Sequence, residues 1–98
     1  MNSLERILAV LNHETPDRLP VLPQIFGCSA ILNDIPLDKY IQNGNLLARA
    51  QIKTQEKFGY DAVFSLIDTS LEAESLGMSL TYQPGQYPII TNYPLENE

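Results

Sequence analysis

Asp68 stands where chemistry would be expected in this chain, between the nearly continuous apolar run of residues 62–67 and the sequence Thr69-Ser70-Leu71-Glu72. An apolar run without polar alternation is typical of a strand covered on both faces, as in parallel sheets flanked by helices. In such sheets and barrels the groups just past the carboxyl ends of the strands face the site. A carboxylate there, beside a helix start whose dipole favours its ionised form, is placed for a role in a site. The plainer reading is a helix-start charge or cap. The other reactive side chains point to structure. His13 lies in a polar patch at a helix end, which suits a solvated or capping role. Cys28, the single cysteine, follows a strand and a glycine and is expected to be a small buried hydrophobe. Its neighbours supply no positive charge to activate a thiol. Glu72 and Glu74 read as capping-box and solvated-face residues, and Asp17 and Arg18 as an ion pair fixing a loop.

The elements that must position Asp68 follow from periodicity. Leu4, Ile7, Leu8 and Leu11 form an apolar stripe on a first helix, with Ser3 as the expected N-cap and an end near residues 12–14. Residues 19–26 read as a first strand, made irregular or edge-like by Pro20 and Pro23. One or two short helices are expected within residues 27–45, with Pro36 suited to a first turn. A long helix over residues 46–58 is capped by Asn45 and stopped by Gly59, and carries the weak stripe Leu47, Gln51, Thr54 and Phe58. After the second strand, Thr69 and Glu72 form a capping-box pattern and Gly77 ends a short helix. Residues 78–82 and 87–91 alternate as a hairpin around Gln83-Pro84-Gly85-Gln86, a type II turn signal. Two parallel strands joined by a helical crossover make one unit of an α/β fold. Residues 94–98 are expected to fray.

The chain has 98 residues and a net charge of −6. A length of 98 residues allows one domain at most, and the acidic balance offers no footprint for nucleic acid or anionic membranes. No signal peptide or membrane-spanning run is visible, and a lone cysteine excludes an internal disulfide. The expectation is a cytoplasmic protein.

Residues 4–21, from Leu4-Glu5-Arg6-Ile7 through His13-Glu14-Thr15-Pro16-Asp17-Arg18-Leu19-Pro20-Val21, resemble the N-terminal signature of the uroporphyrinogen decarboxylase superfamily, especially its corrinoid-linked methyltransferase branch. Phe58-Gly59-Tyr60-Asp61 and residues 68–77 resemble two further blocks of that family in the same order. The resemblance implies the N-terminal part of a (β/α)₈ barrel. Its expected parts are a leading helix, two parallel strands, crossover helices and a C-terminal hairpin, all in one incomplete domain over residues 1–98. A complete barrel needs roughly 250 residues.

The decarboxylase branch holds tetrapyrrole nitrogens with a strand-end aspartate, a position on which Asp68 falls. It also grips substrate carboxylates with an Arg-Gln-Ala-Gly-Arg segment after the first strand. Here that stretch is Ile25-Phe26-Gly27-Cys28-Ser29, without either arginine. A porphyrinogen would lack its bidentate clamp. The methyltransferase branch moves a methyl group from a corrinoid to a zinc-activated thiol, and its zinc ligands are a His-x-Cys pair and a later cysteine. His13 and Cys28 do not match that motif, so no metal or cofactor is expected on this chain itself. Zinc, a corrinoid methyl donor and a possible corrinoid protein partner belong to complete relatives. The leading expectation is a fragment of such a methyltransferase, inactive alone, with Asp68 as its one site residue. The alternatives are a decarboxylase fragment and a stand-alone module that self-associates through exposed barrel edges.

Overall fold

Helix α1 (Ser3–Leu11) begins with a capping box. The Asn2 side chain accepts from the Glu5 backbone at 2.9 Å, and the Glu5 carboxylate accepts from the Asn2 backbone at 2.8 Å. The N-cap is therefore Asn2, one residue before the expected Ser3. The computed structural model of the chain describes residues 1–64 and 70–92. After α1 come α2 (Cys28–Leu32), α3 (Leu37–Gln42), α4 (Gly44–Phe58), α5 (Leu71–Ser75), β1 (Ser79–Thr81) and β2 (Ile89–Asn92).

Local signals explain most of these ends. Three helices close with the same pair of bonds, in which the first residue past the cap is left-handed and the next reaches back to the final turn. In α1, His13 has φ 60 and donates to the Val10 carbonyl, while the Glu14 amide donates to the Ala9 carbonyl. Asp34 and Ile35 do the same after α2, and Gly77 and Met78 after α5. Pro36 is the N-cap of α3, and α4 is capped by Asn43, whose side chain accepts from the Asn45 and Leu46 amides. Gly59 ends α4 at φ 70. The hairpin turn is as expected: the Gln86 amide donates to the Gln83 carbonyl at 3.2 Å, and Gly85 takes φ 71 at the position a type II turn reserves for glycine. One register irregularity between Ser79 and Leu80 leaves Thr91 unpaired in the ladder, and its hydroxyl donates to the Ser79 carbonyl.

The two parallel strands are not present as strands among the described residues. Residues 19–25 carry no regular secondary structure, nor do residues 62–64. Pro20 and Pro23 have no N–H to give a ladder, which accounts for the first segment. The segments nevertheless lie side by side. The Asp61 amide donates to the Val21 carbonyl at 2.9 Å, and further on the rings of Phe26 and Phe64 meet edge to face at 6.4 Å. Both segments advance from the first contact to the second, so they run parallel. The only sheet among the described residues is the antiparallel hairpin β1-β2.

The core is small. Ala30, Tyr40, Ile41 and Ala50 are buried where α2, α3 and α4 meet, with Ile35, Leu37, Leu47 and Tyr82 packed around them. Helix α1 is held differently. Ala9 is its one buried residue, while Leu4, Leu8 and Leu11 of its apolar stripe are exposed. Ser3 and Arg6 tie the helix to the body through polar bonds instead. The Cα radius of gyration is 17.1 Å, against about 13 Å for a compact chain of this length. The thinnest dimension is 16 Å. These α/β elements form an open slab, in keeping with part of a barrel rather than a closed one.

Candidate functional site

Two buried polar clusters mark the two ends of the first apolar segment. At its start, Asp61 is enclosed by donors from four places in the sequence. Oδ1 accepts from Ser3 Oγ at 2.8 Å, Arg6 Nη1 at 2.8 Å and Arg18 Nη2 at 3.1 Å. Oδ2 accepts from Arg18 Nη1 and from the Val21 amide, both at 2.8 Å. The Asp61 side chain has no solvent exposure. The Arg18 guanidinium, and next the Val21 amide, hold its carboxyl far below the usual carboxylate range, outweighing the opposing effect of burial. Asp17 forms the outer layer, taking Arg6 Nε at 2.7 Å and Nη2 at 3.2 Å. That contact lowers the Asp17 carboxyl to about 2.

This carboxylate accepts five hydrogen bonds out of reach of solvent, so it has no role open to it as a proton acceptor. The cluster also lies at the amino ends of the two parallel segments, the end of a barrel that serves stability. It staples α1 and the following loop to the rest of the chain. Asp17 and Arg18 do not form the expected ion pair with each other: Asp17 takes Arg6 and Arg18 takes Asp61, in an ionic network centred on Asp61, which no local sequence signal marks.

The second cluster lies at the carboxyl end of the first segment. The Phe26 carbonyl accepts from Ser29 Oγ at 2.9 Å, Tyr40 Oη at 3.2 Å and Gln51 Nε2 at 3.4 Å. Gln51 Nε2 also donates to the Ile25 carbonyl at 2.8 Å, Tyr40 Oη at 2.8 Å and Ser29 Oγ at 3.0 Å. Next to them, Asn33 Nδ2 donates to the Ser29 carbonyl at 2.7 Å and to Thr54 Oγ1 at 3.1 Å. Gln51 and Thr54 sit on the buried face of α4 because their polar atoms are satisfied there. The weak apolar stripe on α4 was therefore a polar seam, and its last member, Phe58, is exposed.

Asp68, the single site residue expected from the sequence, lies outside the described residues, as does Thr69 of the expected capping box. The N-cap position of α5 is Ser70. Cys28 is exposed, not buried as expected, because it opens α2 on the outer side while Ser29 and Ala30 turn inward. His13 serves as the helix-ending residue of α1. Tyr60 has a buried hydroxyl with no hydrogen-bond partner among the described residues, and burial, then the nearby Tyr40, push it above the ordinary phenol range. Among the described residues, no three His, Cys, Asp or Glu side chains converge as a metal site, and no helix is long and apolar enough to cross a membrane.

A search of curated proteins and a search of solved structures each gave no match. The sequence model of the family described as uroporphyrinogen decarboxylase (URO-D) matches residues 2–98. A match over nearly the whole chain includes the Asp17, Arg18 and Asp61 network and both parallel segments, and the chain belongs to the uroporphyrinogen decarboxylase family.

Proposed function

We propose that the chain is the N-terminal part of a methyltransferase of this family, a cytoplasmic enzyme that passes a methyl group from a corrinoid to a thiol. The carrying observation is the chemistry of the segment after Phe26, which is Gly27-Cys28-Ser29 and holds no arginine. Arg6 and Arg18 are engaged with Asp17 and Asp61 at the opposite end of the segment. A tetrapyrrole bearing several carboxylates would find no clamp at the carboxyl end. Asp68 would bind substrate or orient the transfer in the complete barrel. Zinc and the corrinoid, with any corrinoid protein, would be held by residues beyond these 98.

The isolated chain is expected neither to decarboxylate uroporphyrinogen nor to methylate a thiol from methylcobalamin. Turnover above a protein-free control that disappears in Asp68→Asn would overturn this inactivity. The branch is tested on the product of the whole source reading frame, which should methylate a thiol in a zinc-dependent way. Decarboxylation of uroporphyrinogen by that product would assign it to the other branch.

A second reading, self-association of the chain, is favoured by the outward apolar face of α1. Leu4 is 65% exposed and Leu11 69%. Covering such a stripe together with the open segment edges would remove apolar area from water. Sedimentation should show a dimer or larger species that Leu8→Glu shifts toward monomer. A folded monomer at high concentration would refute the reading.

A further inference from the structure

The peptide joining Phe26 to Gly27 is held from both sides. Its carbonyl takes three buried side-chain donors, and its N–H donates to Tyr87 Oη at 2.8 Å. Those three donors belong to α2, α3 and α4, whereas Tyr87 arrives from the hairpin, just before β2. The approach is close enough that any side chain at position 27 would have to displace it. A Cβ on Gly27 would collide with Tyr87 Oη and would lie 2.7 Å from Leu37 Cδ1. A second bond holds the hairpin tip, where the Gly85 amide donates to Asp38 Oδ1 on α3 at 3.2 Å.

The two sides of this hairpin's loop are attached with unequal strength. Tyr82, directly after β1, packs against the core. From residue 83 to residue 87 every residue is exposed, and Tyr87 itself is 43% exposed. Segments with little buried apolar contact and solvent-exposed hydrogen bonds open at low free-energy cost. The hairpin is thus anchored on its β1 side at Tyr82 and lightly held through the loop that follows.

We propose that the hairpin, residues 79–92, is a strap that opens and closes over the carboxyl end of the first segment, with Tyr87 as its latch on the Gly27 amide. The closed form is the one seen in this structure. Residues at that end of a barrel strand border the site, so the strap sets the position of the Gly27-Cys28 turn that begins α2. Opening it releases the Gly27 N–H, while the Phe26 carbonyl stays held by α2, α3 and α4. This inference rests on the chain's own geometry and stands apart from the choice of methyl transfer.

Residue-resolved amide hydrogen exchange on the full chain tests it. Tyr87→Phe removes one hydroxyl and should speed exchange at Gly27 by about tenfold or more, the loss expected for one protecting bond. Asp38→Ala never touches Gly27, yet by freeing the tip it should speed the same amide by about threefold. The amides of Ala50 and Gln51 on α4 should keep their rates in both variants. An unchanged Gly27 rate in Tyr87→Phe overturns the latch. A response to Tyr87→Phe but none to Asp38→Ala overturns the strap as a unit, and parallel acceleration on α4 overturns both in favour of general loosening.

Discussion

Asp61→Asn is expected to lower the unfolding midpoint more than any other single exchange of similar size in this chain. The asparagine keeps the shape but loses the charge that faces Arg6 and Arg18, and its amide nitrogen would meet donors where acceptor oxygen now stands. Removing the buried carboxylate leaves Arg6, which is largely shielded from water, without its inner partner, while half-exposed Arg18 can turn to solvent, so the loss is carried mainly by Arg6 and the freed Val21 amide. The wild-type chain should show the same dependence as pH is lowered. Both Asp17 and Asp61 have carboxyls depressed in the fold, so each contributes stability that is complete above the unfolded value of about 4. That contribution is lost as pH falls through the folded values, which for Asp17 is about 2 and for Asp61 lies lower still. Thermal denaturation followed from pH 7 downward should therefore show the midpoint holding to about pH 4 and then dropping. The drop should be shallower in Asp61→Asn. An unaltered midpoint at neutral pH, or an undiminished acid drop in the variant, would show that the network carries little.

Gln51→Glu is expected to be the most damaging change on α4 despite being nearly isosteric. The two N–H groups of Gln51 Nε2 are shared among the Ile25 and Phe26 carbonyls and two hydroxyl oxygens. An ionised glutamate would set an acceptor against those carbonyls in a buried place, at a cost of about 3 kcal/mol or more. Burial and facing acceptors would raise the pKa of that glutamate in the fold, so the penalty grows as pH rises above the unfolded value near 4. The variant should accordingly regain stability relative to wild type as pH falls toward 4, because the protonated acid again donates. Gln51→Met, which carries no charge, should cost about 1 to 3 kcal/mol and show no such recovery. Equal loss in the two variants at every pH would mean that packing, not donation, is what position 51 supplies.

Much of the local architecture was legible from the residues alone. Gly59 and Gly77 at helix ends, Pro36 before α3, and Pro84-Gly85 in the hairpin each act through their own backbone angles or those of a neighbour. Such effects need no distant partner. The same holds for the asparagine caps, where the errors were of one or two positions: Asn2 in place of Ser3, and Asn43 in place of Asn45. Several residues in a polar stretch could each cap, and the chain uses the one whose oxygen reaches the free amides. The motif blocks that resembled the family were equally readable, because they are strings of residue types in order.

What the periodicity of α1 could not decide is which face would be covered. Leu4, Leu8 and Leu11 make a stripe in the sequence, but Ser3 and Arg6 face the body because Asp61, more than fifty residues away, waits there. Gln51 and Thr54 likewise looked like weak members of an apolar stripe until Ile25, Ser29, Asn33 and Tyr40 supplied their partners. The parallel segments at residues 19–25 and 61–64 have the composition of strands. A ladder, however, is a property of pairs, and two prolines leave too few donors for one. Caps, turns and helix lengths depend on bonds between near neighbours, which the order of residues already contains. Asp61, Gln51 and the Tyr87 latch depend on groups brought together across 11 to 60 positions, and only the folded chain chooses those partners.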